Sequence, residues 1–392
     1  MNFKDIYIRN LEEDFVNMQD INFKPGDRNP FISYIQLILQ SLGLYTGEID
    51  GIFGNNTKNA ILKFRENQNE RINTNIDIEL LSLLLPYTFV PTTIPYTYNV
   101  CEYALIGLKY KYPYIFKGSI GKSVMGKSLS YIKIGNGATN VLYIASTHAN
   151  EWITTPLVLK FVEDYLSAYS NGDKIYNTYA RDIYSTSSIS IIPLVNPDGV
   201  DLVNNDINKE SNYYLDAVKI SQNYPNIRFP DGWKANINGI DLNLQFPAKW
   251  GNAKEIKFKQ GYISPAPRDF VGDTALQAIE AQALYNFTLS NNFKLMLTFH
   301  SQGKVIFWQF EDYTPPRAEG IGIKMSKASG YSLEKTPYAS SFAGFKDWFI
   351  QNYNLPGYTI EVGLGINPLP ISDFDEIYSE VLGIMVIGAK EA

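Results

Sequence analysis

Two kinds of hydrophobic spacing occur along this chain, and they divide it. From residue 31 onward, Phe31, Ile32, Ile35, Leu37, Ile38, Leu39 and Leu42 recur at near-helical intervals and give one apolar face. The glycine-rich stretch Gly43 to Gly54 follows, and its Asp50-Gly51 pair predicts a folded loop. Asn55, Asn56 and Thr57 offer capping oxygens to a second helix running through Ala60, Ile61 and Phe64 to Asn67, and Ile78 to Leu85 reads as a third. Beyond residue 96, strand-like runs appear at Tyr131 to Ile134, Asn140 to Ser146, Ser188 to Val195, Leu295 to His300, Lys304 to Phe310 and Gly357 to Val362. Helical periodicity separates them at Thr155 to Tyr169, Thr274 to Asn291, Ala318 to Gly330, Gly344 to Asn352 and Phe374 to Lys390. This alternation predicts an α/β fold, a mixed central sheet flanked by helices, preceded by a small three-helix domain. In such sheets chemistry collects where strands reach their carboxyl ends.

At 392 residues the chain has room for two or three domains. The pattern divides it into an unassigned N-terminal arm over 1–28, a helical domain over 29–88, a linker over 89–97 marked by Pro91, Pro95 and a threonine pair, and the α/β unit over 98–392. A single cysteine, Cys101, excludes an intrachain disulfide and any thiolate zinc cluster, so a transition metal must be held by histidine and carboxylate. The net charge of −6, with no Lys/Arg run, argues against a nucleic-acid partner. Residues 1–95 hold 8 basic and 12 acidic side chains, so a binding module there has no basic patch to work with. The longest apolar runs, such as Ile189 to Val195, are strand-sized, which predicts no membrane span. The first 20 residues lack the basic and apolar regions of a signal peptide, so synthesis in the cytoplasm is expected, with later release to the cell wall left open.

Only two histidines exist, and both follow apolar strands. His148 stands after Val141 to Ala145 and pairs with Glu151 at i, i+3, a spacing that sets imidazole and carboxylate on one face of a helical turn. His300 ends Leu295 to Phe299. Two histidines and one glutamate make a three-ligand catalytic zinc set with a fourth position for water, and the expected cofactor is one Zn2+. Glu361, ending Tyr358 to Ile360, would point into the same crevice as a general base.

The segments "GKSVMGKSLSYIKIG", "THANEW", "NPDGV", "WKAN", "GIDLN", "FHSQG" and "YTIEVG" occur in the order that marks the zinc carboxypeptidases, and from about Tyr98 to its end the chain resembles that family. The resemblance implies zinc on His148, Glu151 and His300 and a general base at Glu361. It also implies that Asp241 orients the first zinc histidine and that Lys234, where the family has arginine, stabilises the oxyanion as a point charge. Asn243 falls at a substrate-binding position of the family, and Tyr338, 23 residues before Glu361, lies within one residue of the family's substrate-capping tyrosine.

One departure bears on substrate. Family members that remove a terminal amino acid carry an Asn-Arg pair whose arginine grips the peptide's carboxylate, whereas here the pair is Asn243-Leu244. Arg268 and Arg317 are alternative sources of that charge. "LNLQFPAKW", Gln302-Gly303 and Trp308 are instead similar to the branch that cuts γ-D-glutamyl-diaminopimelate bonds in peptidoglycan stem peptides. Residues 31 to 86, matching "LG.Y.G.IDGIFG..T..A...F", resemble the peptidoglycan-binding domain 1 family, although the polar stretch Asn67 to Asp77 lacks that family's second glycine-bearing turn. Together these resemblances imply a zinc metallopeptidase of the cell wall that acts as a monomer on peptidoglycan stem peptides. The alternatives are a true carboxypeptidase and a catalytically inactive wall-binding protein.

Overall fold

The computed structural model describes Met18 and residues 21–392. Most of the arm expected over 1–28 therefore lies outside the described residues. At the centre is an eight-stranded sheet of strands β1 (Phe116–Lys122), β2 (Ser128–Ile134), β3 (Thr139–Ile144), β6 (Ser187–Ile192), β7 (Phe293–Ser301), β8 (Val305–Phe307), β9 (Ser332–Glu334) and β10 (Gly357–Val362); β4 (Lys174–Ile175) and β5 (Thr178–Tyr179) form a separate small ribbon. The order is β1-β2-β6-β3-β7-β10-β8-β9. β6, β3, β7 and β10 run parallel, with antiparallel β2 and β8 on either side of them. Because side chains alternate along a strand, β3 feeds two cores: Val141 and Tyr143 join one and Leu142 and Ile144 the other. Helices Thr154–Asn171 and Phe374–Glu391 cover the first face, and Ile279–Leu289 and Phe345–Tyr353 the second.

The sequence anticipates the central strands and principal covering helices closely, and the misses have physical reasons. Helix Tyr98–Lys111 has no polar side to reveal its period, being buried from Tyr98 through Leu108; even its Glu102 is buried, 3.0 Å from Lys117. The run Lys304 to Phe310 forms a strand only over Val305–Phe307, with Phe310 in an isolated bridge to Tyr313, and the helix expected over Thr274 to Asn291 begins at Ile279. Among the described residues, no helix is long and apolar enough to cross a membrane.

Helices Pro30–Ser41, Asn55–Asn67 and Ile78–Leu84 form the N-terminal unit. Its glycine-rich loop is held by Gln36, a fully buried side chain whose amide nitrogen lies 2.9 to 3.1 Å from Tyr45, Asp50, the Ile52 carbonyl and Thr57, while its oxygen accepts from the amides of Asp50 and Gly51. Gly51 takes a φ of +68°, and a Cβ there would sit 2.9 Å from the Asn29 carbonyl, so both turn geometry and space require glycine. The capping expected from Asn55, Asn56 and Thr57 is not made: Gly54 is the N-cap, and Thr57 is turned inward to Gln36 and the Ile52 carbonyl.

The segment expected as a linker is a packed strap. Val90, Ile94 and Tyr96 are buried, the Val90 amide donates to Glu163, and Tyr34 donates to the Phe89 carbonyl. Tyr103, on the first helix of the α/β unit, meets the rings of Phe31 and Tyr34 at 5.6 Å each and donates to the Leu81 carbonyl at 2.7 Å. One hydrophobic cluster thus runs from Phe31 through Tyr103 to Leu157 under the sheet. Calorimetry should therefore show a single cooperative unfolding transition for the whole chain. Phe31→Ala, which empties a fully buried aromatic site, should destabilise that entire transition by roughly 3–5 kcal/mol. A separate early transition that alone moves in the variant would contradict the shared core.

Candidate metal centre

Three adjacent parallel strands deliver the site. Beyond β3 the chain bends at Ser146, whose φ is 47° and whose amide donates to the Thr154 hydroxyl at 2.9 Å. It then reaches His148, the N-cap of a 3-10 turn, Ala149–Glu151. The i, i+3 spacing on this turn brings His148 Nδ1 within 3.0 Å of Glu151 Oε1. His300, near the end of β7, places its Nδ1 2.9 Å from Glu151 Oε2 and 3.1 Å from His148 Nδ1. One donor atom from each of the three residues lies within 4.8 Å of the others, and all three side chains are buried.

The outer imidazole nitrogens are held as well. His148 Nε2 lies 3.2 Å from Asp241 Oδ1, and His300 Nε2 lies 3.1 Å from the Thr298 hydroxyl. Asp241 is itself fixed by the amides of Asn243 and Asp269, each at 3.1 Å. Thr298 is a partner the sequence reading missed, although it lies two residues before His300 and so on the same strand face. Two inward nitrogens, an inward carboxylate and anchored outer nitrogens form the nitrogen and oxygen donor set that suits zinc, with ring orientations set in advance.

Burial opposes ionisation of Glu151, but the charges of His148 and Lys234 outweigh it and hold the carboxyl well below its usual range. For His148, burial pulls the other way and is overcome mainly by the Glu151 charge, which lifts the imidazole to about 9. Glu361 is paired with His300 in the parallel register of β10 and β7 and lines the same crevice. Burial, with the Glu151 charge second, pushes its carboxyl up to about 8.

Lys234 extends from a loop anchored on both sides. Trp233 is fully buried, with Nε1 donating to the Asn236 carbonyl, and the amides of Lys234 and Ala235 both donate to the Pro267 carbonyl. The "NPDG" motif braces this loop: Asn196 Nδ2 donates to the Ala235 carbonyl at 2.9 Å, and a Cβ on Gly199 would lie 2.7 Å from the same oxygen. Lys234 Nζ reaches Glu151 Oε1 at 2.9 Å.

The crevice has two parts that share Lys234, Arg268, Phe307 and Glu361. One, of about 280 Å³, includes His148, Asn243, Leu244 and the buried ion pair Lys346–Asp347, whose Nζ to Oδ1 distance is 2.7 Å. The other is an open trough of about 660 Å³ that includes Asn150, Arg228 and Gln302. Asn243 lines the first part while its Oδ1 accepts from the Phe345 amide at 3.1 Å. Tyr338 is the exception among the expected site residues. Its side chain is 70% exposed and packs on Phe342, outside the crevice lining, although Thr336, Pro337 and Ser340 of the same turn contribute to it. Of the two alternative arginines, Arg268 is in the crevice and Arg317 is on the surface, donating to the Glu391 carbonyl. Lys346, Asp347 and Arg228 follow no metal-ligand spacing, and no sequence signal marks them.

Buried imidazoles and a carboxylate at the carboxyl ends of parallel strands, faced by a second carboxylate, define the class as a metal-dependent hydrolase built on an open α/β sheet. Within that class the chain belongs to the zinc carboxypeptidase family, whose model matches residues 102–382. Residues 28–82 match the model described as a putative peptidoglycan binding domain. Gamma-D-glutamyl-L-diamino acid endopeptidase 1 of Lysinibacillus sphaericus is 44% identical over 293 residues, covering 75% of this chain and 72% of that relative. The YqgT protein of Bacillus subtilis is 35% identical, over 70% of this chain and 72% of its own length. The carboxypeptidase A of Helicoverpa armigera shares the fold, with a TM-score of 0.58 at 20% identity over 84% of this chain and 86% of its own.

A raised His148 has a measurable consequence. Metal-free protein at pH 7 carries a proton on an imidazole of pKa about 9, and a metal can bind only the deprotonated ring. Adding zinc in weak buffer should therefore acidify the solution by about one proton per site, and apparent zinc affinity should rise roughly tenfold per pH unit until about pH 9. Zinc uptake with no proton release would show that the ring is neutral beforehand.

Proposed function

We propose that this protein is a peptidoglycan endopeptidase that hydrolyses stem peptides, most specifically the amide between γ-D-glutamate and meso-diaminopimelate, with one Zn2+ held by His148, Glu151 and His300. The observation that carries this reading is Leu244, which lines the pocket at the position where carboxypeptidases place the arginine for a terminal carboxylate. It is supported by the 44% identity to an enzyme named for this bond and by the match of residues 28–82 to a peptidoglycan-binding model. The division proposed is a wall-binding module over 29–88 and a peptidase unit over 98–392, acting on the wall.

Bound zinc would supply Lewis acidity, polarising the scissile carbonyl and acidifying a water molecule. The chain's own residues do the rest. Glu361, beside His300 and facing the crevice, takes a proton from the attacking water and passes it to the leaving nitrogen. Lys234 offers an ammonium to the developing oxyanion. Asp241 and Thr298 keep the two imidazoles oriented.

Mass spectrometry of purified diaminopimelate-type peptidoglycan tests this. Wild type should release fragments ending in free γ-D-glutamate, while Glu361→Gln should cut about 10²- to 10⁴-fold more slowly with unchanged zinc content and melting temperature. Equal release by the two proteins would remove Glu361 from the mechanism. Loss of cleavage when the substrate's terminal carboxylate is amidated would instead identify a true carboxypeptidase.

A further inference from the structure

The crevice holds one cation in excess at its centre. Arg268 lines both the closed pocket and the open trough, alongside Lys234 and Glu361. Its Nε is 2.6 Å from Asp269 Oδ2, and the other oxygen of that carboxylate already accepts from Lys257 at 2.5 Å. Two cations thus share one anion. The terminal amino groups of Arg268 have no hydrogen-bond partner among the described residues, and its side chain is 42% exposed. In the trough a second guanidinium, Arg228, is 66% exposed and is paired through Nε with Asp231 Oδ2 at 2.8 Å, and Glu361 is the only acid among the described residues of the lining. The acids of the closed pocket other than Glu361 are already engaged: Asp241 by His148, Asp269 by Lys257 and Arg268, and Asp347 by Lys346.

A planar fork with free donors recognises a carboxylate. In an ordinary α-linked peptide, the residue that donates the scissile carbonyl has no backbone carboxylate of its own. A γ-linked glutamate does, because its acyl chain runs back to a Cα bearing a free carboxylate, about 5 Å from the scissile carbon. Resting on the function proposed above, we infer that Arg268, backed by Arg228, is the specificity determinant that binds the α-carboxylate of the γ-linked glutamyl residue in the open trough. The enzyme then discriminates between stem peptides whose glutamate α-carboxyl is free and those in which it is amidated to isoglutamine.

The test uses the full-length zinc-loaded protein and three synthetic peptides: L-Ala-γ-D-Glu-meso-diaminopimelate, the same peptide with the glutamate α-carboxyl amidated, and the same peptide with the diaminopimelate carboxyl next to the scissile nitrogen amidated. Wild type should prefer the first over the second by about 10- to 100-fold in kcat/KM, the range expected for a charge-assisted hydrogen-bonded pair. In Arg268→Ala that ratio should fall toward about one, and Arg268→Lys should restore part of it, with zinc content confirming that each variant is folded. A wild-type ratio near one, or a ratio unchanged in Arg268→Ala, would overturn the inference while leaving the bond assignment intact. Discrimination by Arg268 that tracks the third peptide instead would place the arginine on the departing residue's carboxylate and also overturn it. Failure of wild type to cut any of the three would defeat the proposed function, and this inference with it.

Discussion

A buried negative charge must be matched by positive charge or lose its proton, and the Glu151 carboxylate, at 1% exposure, is the charge around which this molecule is arranged. Two imidazole nitrogens, the Lys234 ammonium and the Ser301 amide surround its two oxygens. The partners come from three separate parts of the chain, and each part is fixed by its own packing. His148 follows the bend after β3, His300 and Ser301 end β7, and Lys234 sits on a loop locked by Trp233 and Asn196. Much of the motif chemistry in the middle of the sequence therefore serves to keep an ammonium beside a carboxylate. The two inward nitrogens, 3.1 Å apart, add a further constraint. Both cannot carry a proton toward each other at that distance, so the arrangement favours one shared proton or a cation that replaces it.

The clustering of the candidate metal ligands was legible because their elements are short-range and their residue types scarce. With two histidines and one cysteine there was one way to build a transition-metal site, and strand ends gave its place in the fold. The place of Glu361 in the crevice was legible as that of a charge terminating an apolar strand. What the sequence hides is whatever depends on distant segments meeting. Arg268 and Leu244 are 24 positions apart, and no periodicity says that one enters the crevice while Arg317 stays outside. Tyr338 shows the converse difficulty: its spacing from Glu361 is nearly that of a capping residue, but in this conformation the ring lies on Phe342. Helix Tyr98–Lys111 escaped for a related reason, since unbroken burial from Tyr98 through Leu108 erases the polar stripe by which a helix is read.

The union of the N-terminal unit with the α/β unit changes how a wall-binding module can help catalysis. A flexible tether raises effective concentration by letting one module search around the other. Here the connecting strap is buried, Tyr103 is inserted between Phe31, Tyr34 and the Leu81 carbonyl, and Asn29 donates to Asp206 at 2.5 Å. On the function proposed above, such a module would present its ligand at a fixed distance and angle from the crevice. Strands of wall lying in that orientation would gain the full advantage and others little, so the contact would act as a geometric filter.

On the function proposed above, fixed geometry also bears on how a chain of net charge −6 with no Lys/Arg run would engage an anionic polymer. Long-range attraction is weak in such a molecule and further screened at physiological ionic strength. Recognition must then be concentrated where water is excluded and charges act at short range. The crevice brings charges together at short range: Lys257 and Arg268 share a single carboxylate, and Lys234 answers the buried Glu151. Leu244 fits the same logic. An arginine there would add a further cation beside Lys257, Arg268 and Lys346, all of which line the same pocket, and its repulsion would oppose holding Lys234 close to Glu151. On the function proposed above, an apolar side chain there would remove a terminal-carboxylate grip and relieve that repulsion, so substrate geometry and the electrostatics of the candidate metal ligands would be coupled at one position.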